Sequence, residues 1–150
     1  FEGIKYTNRE IAEMFGKTFE VPSDPNSGGA VVIKDISVFS YCEHHMALMY
    51  DMKVDVAYVP RGRVLGLSKI ARICDMAAKR LQLQERLGRD IAEIISLAAL
   101  SPDVGVRIEG CHSCMTSRGI KNVSSKTVTK TYFGAFKDDV SLQNLLGDRV

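Results

Sequence analysis

The stretch DVGVRIEGCHSC, residues 103–114, decides the fold. Val104, Val106 and Ile108 recur at every second position, the period of a strand with one buried face. His112 and Cys114 share that parity, and Cys111 points the other way. One strand thus carries a histidine and a cysteine on one face.

Working outward, residues 125–136, SKTVTKTYFGAF, are rich in threonine and aromatics and read as a closing strand. Upstream, residues 52–60, MKVDVAYVP, alternate with Met52, Val54, Val56 and Tyr58 on one side and Lys53 and Asp55 on the other. Residues 30–39, AVVIKDISVF, are β-branched and read as a strand, after a loop at 22–29, PSDPNSGG. RGR at 61–63 is a turn into a short strand. Ser68 then opens a helical pattern through Ile70, Ile73, Ala77 and Leu81. A second helix shows Leu87, Ile91, Ile94, Ile95 and Ala98 on one face. Gly88 marks a break near Glu85, and Ser101-Pro102 stops the helix. The order ββααββ predicts an α+β domain, an antiparallel sheet with two helices on one face.

The chain has 150 residues, which suits one domain. A net charge of +2 is too small a bias to select nucleic acid or a membrane surface, and neither partner is expected. No run of 18 apolar residues predicts a membrane span, and no signal peptide is visible. Four cysteines (Cys42, Cys74, Cys111, Cys114) would allow disulfides by parity. All three histidines, His44, His45 and His112, lie close to a cysteine, which points instead to metal or catalysis.

Two metal sites compete. A closed one takes Cys42, His45, Cys111 and Cys114 and is a structural zinc. An open one takes Cys42, His45 and Cys114, keeps a position for water, and leaves His44 and His112 free beside the ion. Strand parity favours the open site. A zinc knuckle also needs a tight turn between its cysteines, whereas Gly110 precedes Cys111. Cys111 and Cys74 read as small buried residues.

Three further groups bear on a ligand. Ser68, Lys69 and Arg72 put cations at a helix N-terminus, against the dipole, which makes sense if an anion sits there. The plain alternative is Ser68 as N-cap and a solvated basic helix end. Gln84 and Glu85, in QLQERL, could hold a guanine edge, the acid accepting from N1–H and the 2-amino group. A wet helix surface is the alternative. Arg118, four residues past Cys114, could clamp a phosphate or form a surface ion pair.

Four motifs taken together, CEHH at 42–45, GLSKIAR at 66–72, RLQLQERL at 80–87 and HSCMTSRG at 112–119, resemble GTP cyclohydrolase I in order and spacing over roughly residues 30–136. The resemblance implies the tunnelling fold, with sheets of several subunits joined into a barrel. It implies a cytoplasmic homodecamer with active sites at subunit interfaces. The implied reaction opens the imidazole ring of GTP, releases C8 as formate and gives 7,8-dihydroneopterin triphosphate. Cys42, His45 and Cys114 resemble the ligands of a Zn2+ ion whose water attacks C8. His112 resembles the acid for N7, and His44 the histidine near the ribose. Glu85 with Gln84 resembles the guanine anchor, and Ser68, Lys69, Arg72 and Arg118 the triphosphate cradle, Ser68 also near the ribose.

The family usually carries a Thr-Pro-x-Arg helical segment further upstream, whose basic residues complete the triphosphate site; either that segment is missing upstream of Phe1 or part of the phosphate site is absent. MALMYD at 46–51 stands where the family tends to a Pro- and Gly-containing stretch, and the family pattern asks for no cysteine at Cys111. Two rival readings are a non-catalytic zinc or nucleotide module of this fold and the nitrile reductase of queuosine synthesis. The two unliganded histidines argue against the first. The Cys-His-Cys set argues against the second, which uses a cysteine nucleophile without zinc.

Overall fold

The computed structural model describes residues 2–16, 18–20, 29–43, 48–112 and 126–147. After a 3-10 turn at Glu2–Lys5 come α1 (Asn8–Phe15), β1 (Thr18–Glu20), β2 (Val31–Cys42), β3 (Leu48–Tyr58) and β4 (Arg63–Leu65). Then follow α2 (Leu67–Ala78), β5 (Leu81–Gln82), α3 (Gln84–Ala99), β6 (Val104–His112) and β7 (Thr127–Phe133). The chain ends in a 3-10 turn at Gly134–Lys137, the one-turn α4 (Val140–Gln143) and a further 3-10 turn at Asn144–Leu146. The main sheet runs β5-β2-β3-β6-β7, antiparallel except for the short parallel β2–β5 pair, and β1 pairs with β4 separately. The expected ββααββ order and the α+β sheet with helices on one face are therefore present.

Strand alternation holds where it was read. Val104, Val106 and Ile108 are fully buried, as are Val54, Val56 and Tyr58. Beneath them α2 buries Ile70, Ile73, Cys74 and Ala77, and α3 buries Leu87, Ile91, Ile94 and Ile95. Two bulges move the strand boundaries. At Asp51 (φ 48°) β3 carries one extra residue, so Met49 and Met52 both turn into the core. The broken alternation hides the first turn of β3, which starts at Leu48 and not at 52. In β2 Asp35 (φ 63°) makes a second bulge, its N–H donating to Asp55 Oδ1 at 2.9 Å.

The helices also differ in detail. α2 begins at Leu67 with Gly66 at the N-cap, so Ser68 lies inside the first turn and caps nothing. It ends at Ala78, and Leu81 leaves the helix to pair with Tyr41 in the sheet. Gly88 is no break. It lies inside α3 because a side chain there would meet Thr131 Oγ1 at 2.7 Å, so the glycine lets α3 press against β7. The helix stops at Leu100, held in the left-handed region (φ 53°) and 62% exposed.

Two segments outside the ββααββ order also fold. α1 packs on α2 and α3 through Ile11 and Ala12, its start fixed by a reciprocal cap between Thr7 and Glu10. Arg80 ties this segment down, donating to Gly3 O, Tyr6 O, Asn8 Oδ1 and Asp90 Oδ2 at 2.7–3.0 Å. At the other end of the described residues, Phe136 and Leu146 fold back over Ala57, with Leu142 of α4 against them, on the face opposite α2 and α3. The rest of that face is charged, with Asp51, Lys53, Asp55, Arg107 and Glu109 lining a cleft. Among the described residues no helix is long and apolar enough to cross a membrane.

Candidate active site

β2 and β6 both run antiparallel to β3, so their C-terminal residues, Cys42 and His112, reach the same end of the sheet. The start of α3 stands there as well, because β5, two residues before it, pairs with Tyr41 and Cys42. The sheet thus gathers Cys42, Gln84, Glu85 and His112 at one end. His44, His45, Cys114 and Arg118 lie outside the described residues.

Cys42 is buried and forms no disulfide. The turn after it is clamped: Glu43 N–H donates to Gln82 O at 2.9 Å, and the Glu43 carboxylate pairs with Arg86 at 2.9 Å. Arg86 also donates to Leu81 O and to Gln82 Oε1. Sequence reasoning gave Glu43 and Arg86 no role. Both stand inside the quoted motifs CEHH and QERL, but only the fold brings them together.

His112 is half-buried, and its Nε2 lies 2.7 Å from Gln84 Oε1. Burial pushes its pKa below the ordinary histidine value, and the negative charge of Glu85 opposes that shift. Glu85 is exposed and available to a ligand. Gln84 is 3% exposed, and its amide nitrogen donates to Ile108 O, Thr127 O and Thr129 Oγ1. Its side chain is therefore engaged within the protein. Cys111 pairs across the ladder with Tyr50, on the face away from His112, as parity requires.

Ser68, Lys69 and Arg72 stand elsewhere. The C-terminus of α2 is at the site end, where Ser40 Oγ donates to Ala78 O at 2.6 Å. Its N-terminus is at the far end, where Leu65 N–H donates to the Tyr58 hydroxyl at 3.0 Å. Twelve residues of helix separate the two by roughly 18 Å. The first turn of α2 holds no acid; Lys69 lies in it and Arg72 in the turn that follows, close to the N-terminal end of the helix dipole.

A sheet with helices on one face and a strand-end site of this kind is the tunnelling fold. An archaeosine synthase QueF-Like in the apo form shares that fold, with TM-score 0.59 and 23% identity over 73% of this chain and 98% of that one. A family model for GTP cyclohydrolase I matches residues 1–149. The chain is 63% identical over 150 residues to a GTP cyclohydrolase 1 of Ruminiclostridium cellulolyticum, covering 97% of this chain and 76% of that protein. It is 55% identical over 143 residues to that of Clostridium acetobutylicum, covering 95% and 73%. The chain belongs to the GTP cyclohydrolase I family.

Proposed function

We infer that the chain acts as an enzyme of this family, hydrolysing GTP and rearranging its rings. The observation that carries the reading is the meeting of His112 and Glu85 with the end of β2 at Cys42. The products are formate and 7,8-dihydroneopterin triphosphate, an early pterin. Glu85 accepts from N1–H and the 2-amino group of guanine, which orients the base beside His112. His112 gives a proton to N7 and makes C8 electrophilic. His44 assists opening of the ribose, with Ser68 nearby. Lys69, Arg72 and Arg118 neutralise the triphosphate.

The donor set fits zinc: Cys42, a buried thiol free of any disulfide at the site, would hold the ion with His45 and Cys114. Zinc there supplies Lewis acidity, which makes water a nucleophile near neutral pH.

The assembly is a homo-oligomer, a decamer, with its sites at subunit interfaces. Two observations support this. The base-binding residues stand at the C-terminal end of α2 and the basic Lys69 and Arg72 in its N-terminal half, which accords with a site shared between chains. Also, β7 has no strand beyond it among the described residues, and only two-residue β5 covers the outer edge of β2. Such edges are what a multi-subunit barrel pairs. Action in the cytoplasm accords with a nucleotide substrate.

Incubating the zinc-loaded protein with GTP should release formate and, after oxidation, a fluorescent pterin. Bound zinc and an intact oligomer without either product would leave a non-catalytic module.

A further inference from the structure

The Gln84–His112 contact assigns a proton. The amide nitrogen of Gln84 faces two backbone carbonyls, Ile108 O at 3.2 Å and Thr127 O at 2.9 Å. A carbonyl only accepts, so the NH2 group must stand there and the amide cannot be reversed. Gln84 Oε1 is then fixed as an acceptor, 2.7 Å from His112 Nε2. An Nε2 lone pair at that distance would face an oxygen lone pair, so Nε2 carries the hydrogen. The amide has little freedom to move. Gln84 is 3% exposed, Thr129 Oγ1 accepts from the same nitrogen, and Gly110 leaves the room the amide occupies.

We propose that Gln84 is a positioning residue: it engages Nε2–H of His112 and so reserves Nδ1 for proton transfer to the substrate. This rests on the reading of His112 as the acid for N7. With Nε2 held by Gln84, Nδ1 is the ring nitrogen left to meet a ligand. The strand β7 takes part at one remove, because Thr127 and Thr129 hold the amide that holds the histidine.

The test begins with nitrogen NMR of the protein labelled with [15N]histidine, at a pH where His112 is neutral. Only three histidines are present, so a His112→Asn variant assigns the signals. Nε2 should resonate as the protonated nitrogen and Nδ1 as the bare one. The reverse pattern overturns the proposal, and the experiment reads out even if the protein never turns over GTP. Turnover by the unaltered chain tests the functional reading separately. Given turnover, Gln84→Met should lower kcat about 100-fold. KM for GTP should stay within about twofold and zinc content should not change. In a His112→Asn background, Gln84→Met should cost less than about threefold, since its effect runs through the ring. A raised KM with unchanged kcat, or full additivity of the two substitutions, would make Gln84 a substrate contact and sink the idea.

Discussion

Cys74 sits in the middle of α2 with none of its surface exposed, and burial pushes its thiol up to about 12 from an ordinary 9.0, with Asp75 adding to the shift. The neutral thiol is the form the fold holds. Its contribution is intact below about pH 9 and is lost as pH rises towards 12. Buried Tyr58 acts in the same direction, raised above 10.0 by desolvation against the opposing hydrogen bond from Leu65. The melting temperature should therefore fall steadily above pH 9, and less steeply in a Cys74→Ala variant, as read by circular dichroism. A maleimide should label Cys74 only after unfolding. At this scale sequence reasoning reached Cys42, Glu85 and His112, because residue type and strand parity both point at the site. It did not reach the engagement of Gln84, whose partners come from β6 and β7, 24 to 45 residues away. A contact of that span leaves no local pattern.

The strands and helices that follow a regular period were legible, and those that depart from it were not. Both bulges, at Asp35 and Asp51, swap the faces of a strand partway along, and in β3 alternation alone misplaces the start. The helix α1 has only eight residues, too few for a firm 3.6-residue period, although Thr7 and Glu10 form a readable cap. Gly88 read as a break because propensity opposes glycine in a helix, whereas close packing on Thr131 decides the matter. Gly88→Val should thus cost about 2 kcal/mol by overpacking, measured from the denaturant midpoint. The N-terminal segment depends on Arg80, four of whose hydrogen bonds reach across to it or to Asp90. Arg80→Met should destabilise the fold by about 1–3 kcal/mol. Hydrogen exchange in residues 3–15 should rise first, ahead of α3, because the lost contacts are local to that segment.

For the molecule as a whole, the separation of the two ends of α2 gives the assembly a testable arithmetic. If base and triphosphate are held by different chains, His112→Asn and Arg72→Ala each spoil a different contributor to every site. Co-refolding the two inactive variants at equal amounts should restore activity at about a quarter of the sites, those built from two intact contributors. Refolding each variant alone should restore none. Activity that stays absent in verified mixed oligomers would place both residues in one chain's site. The same view of the whole explains Leu100, which stops α3 in a conformation that costs a side-chain-bearing residue about 1 kcal/mol, yet stands mostly in solvent. It lies at the C-terminal end of α3, the end opposite Gln84 and Glu85. A Leu100→Gly variant should melt higher, by up to about 1 kcal/mol of added stability, with GTP turnover unchanged. That end of α3 is accordingly a handle for engineering a hardier catalyst, because heat tolerance can be raised there without reshaping the pocket that does the chemistry.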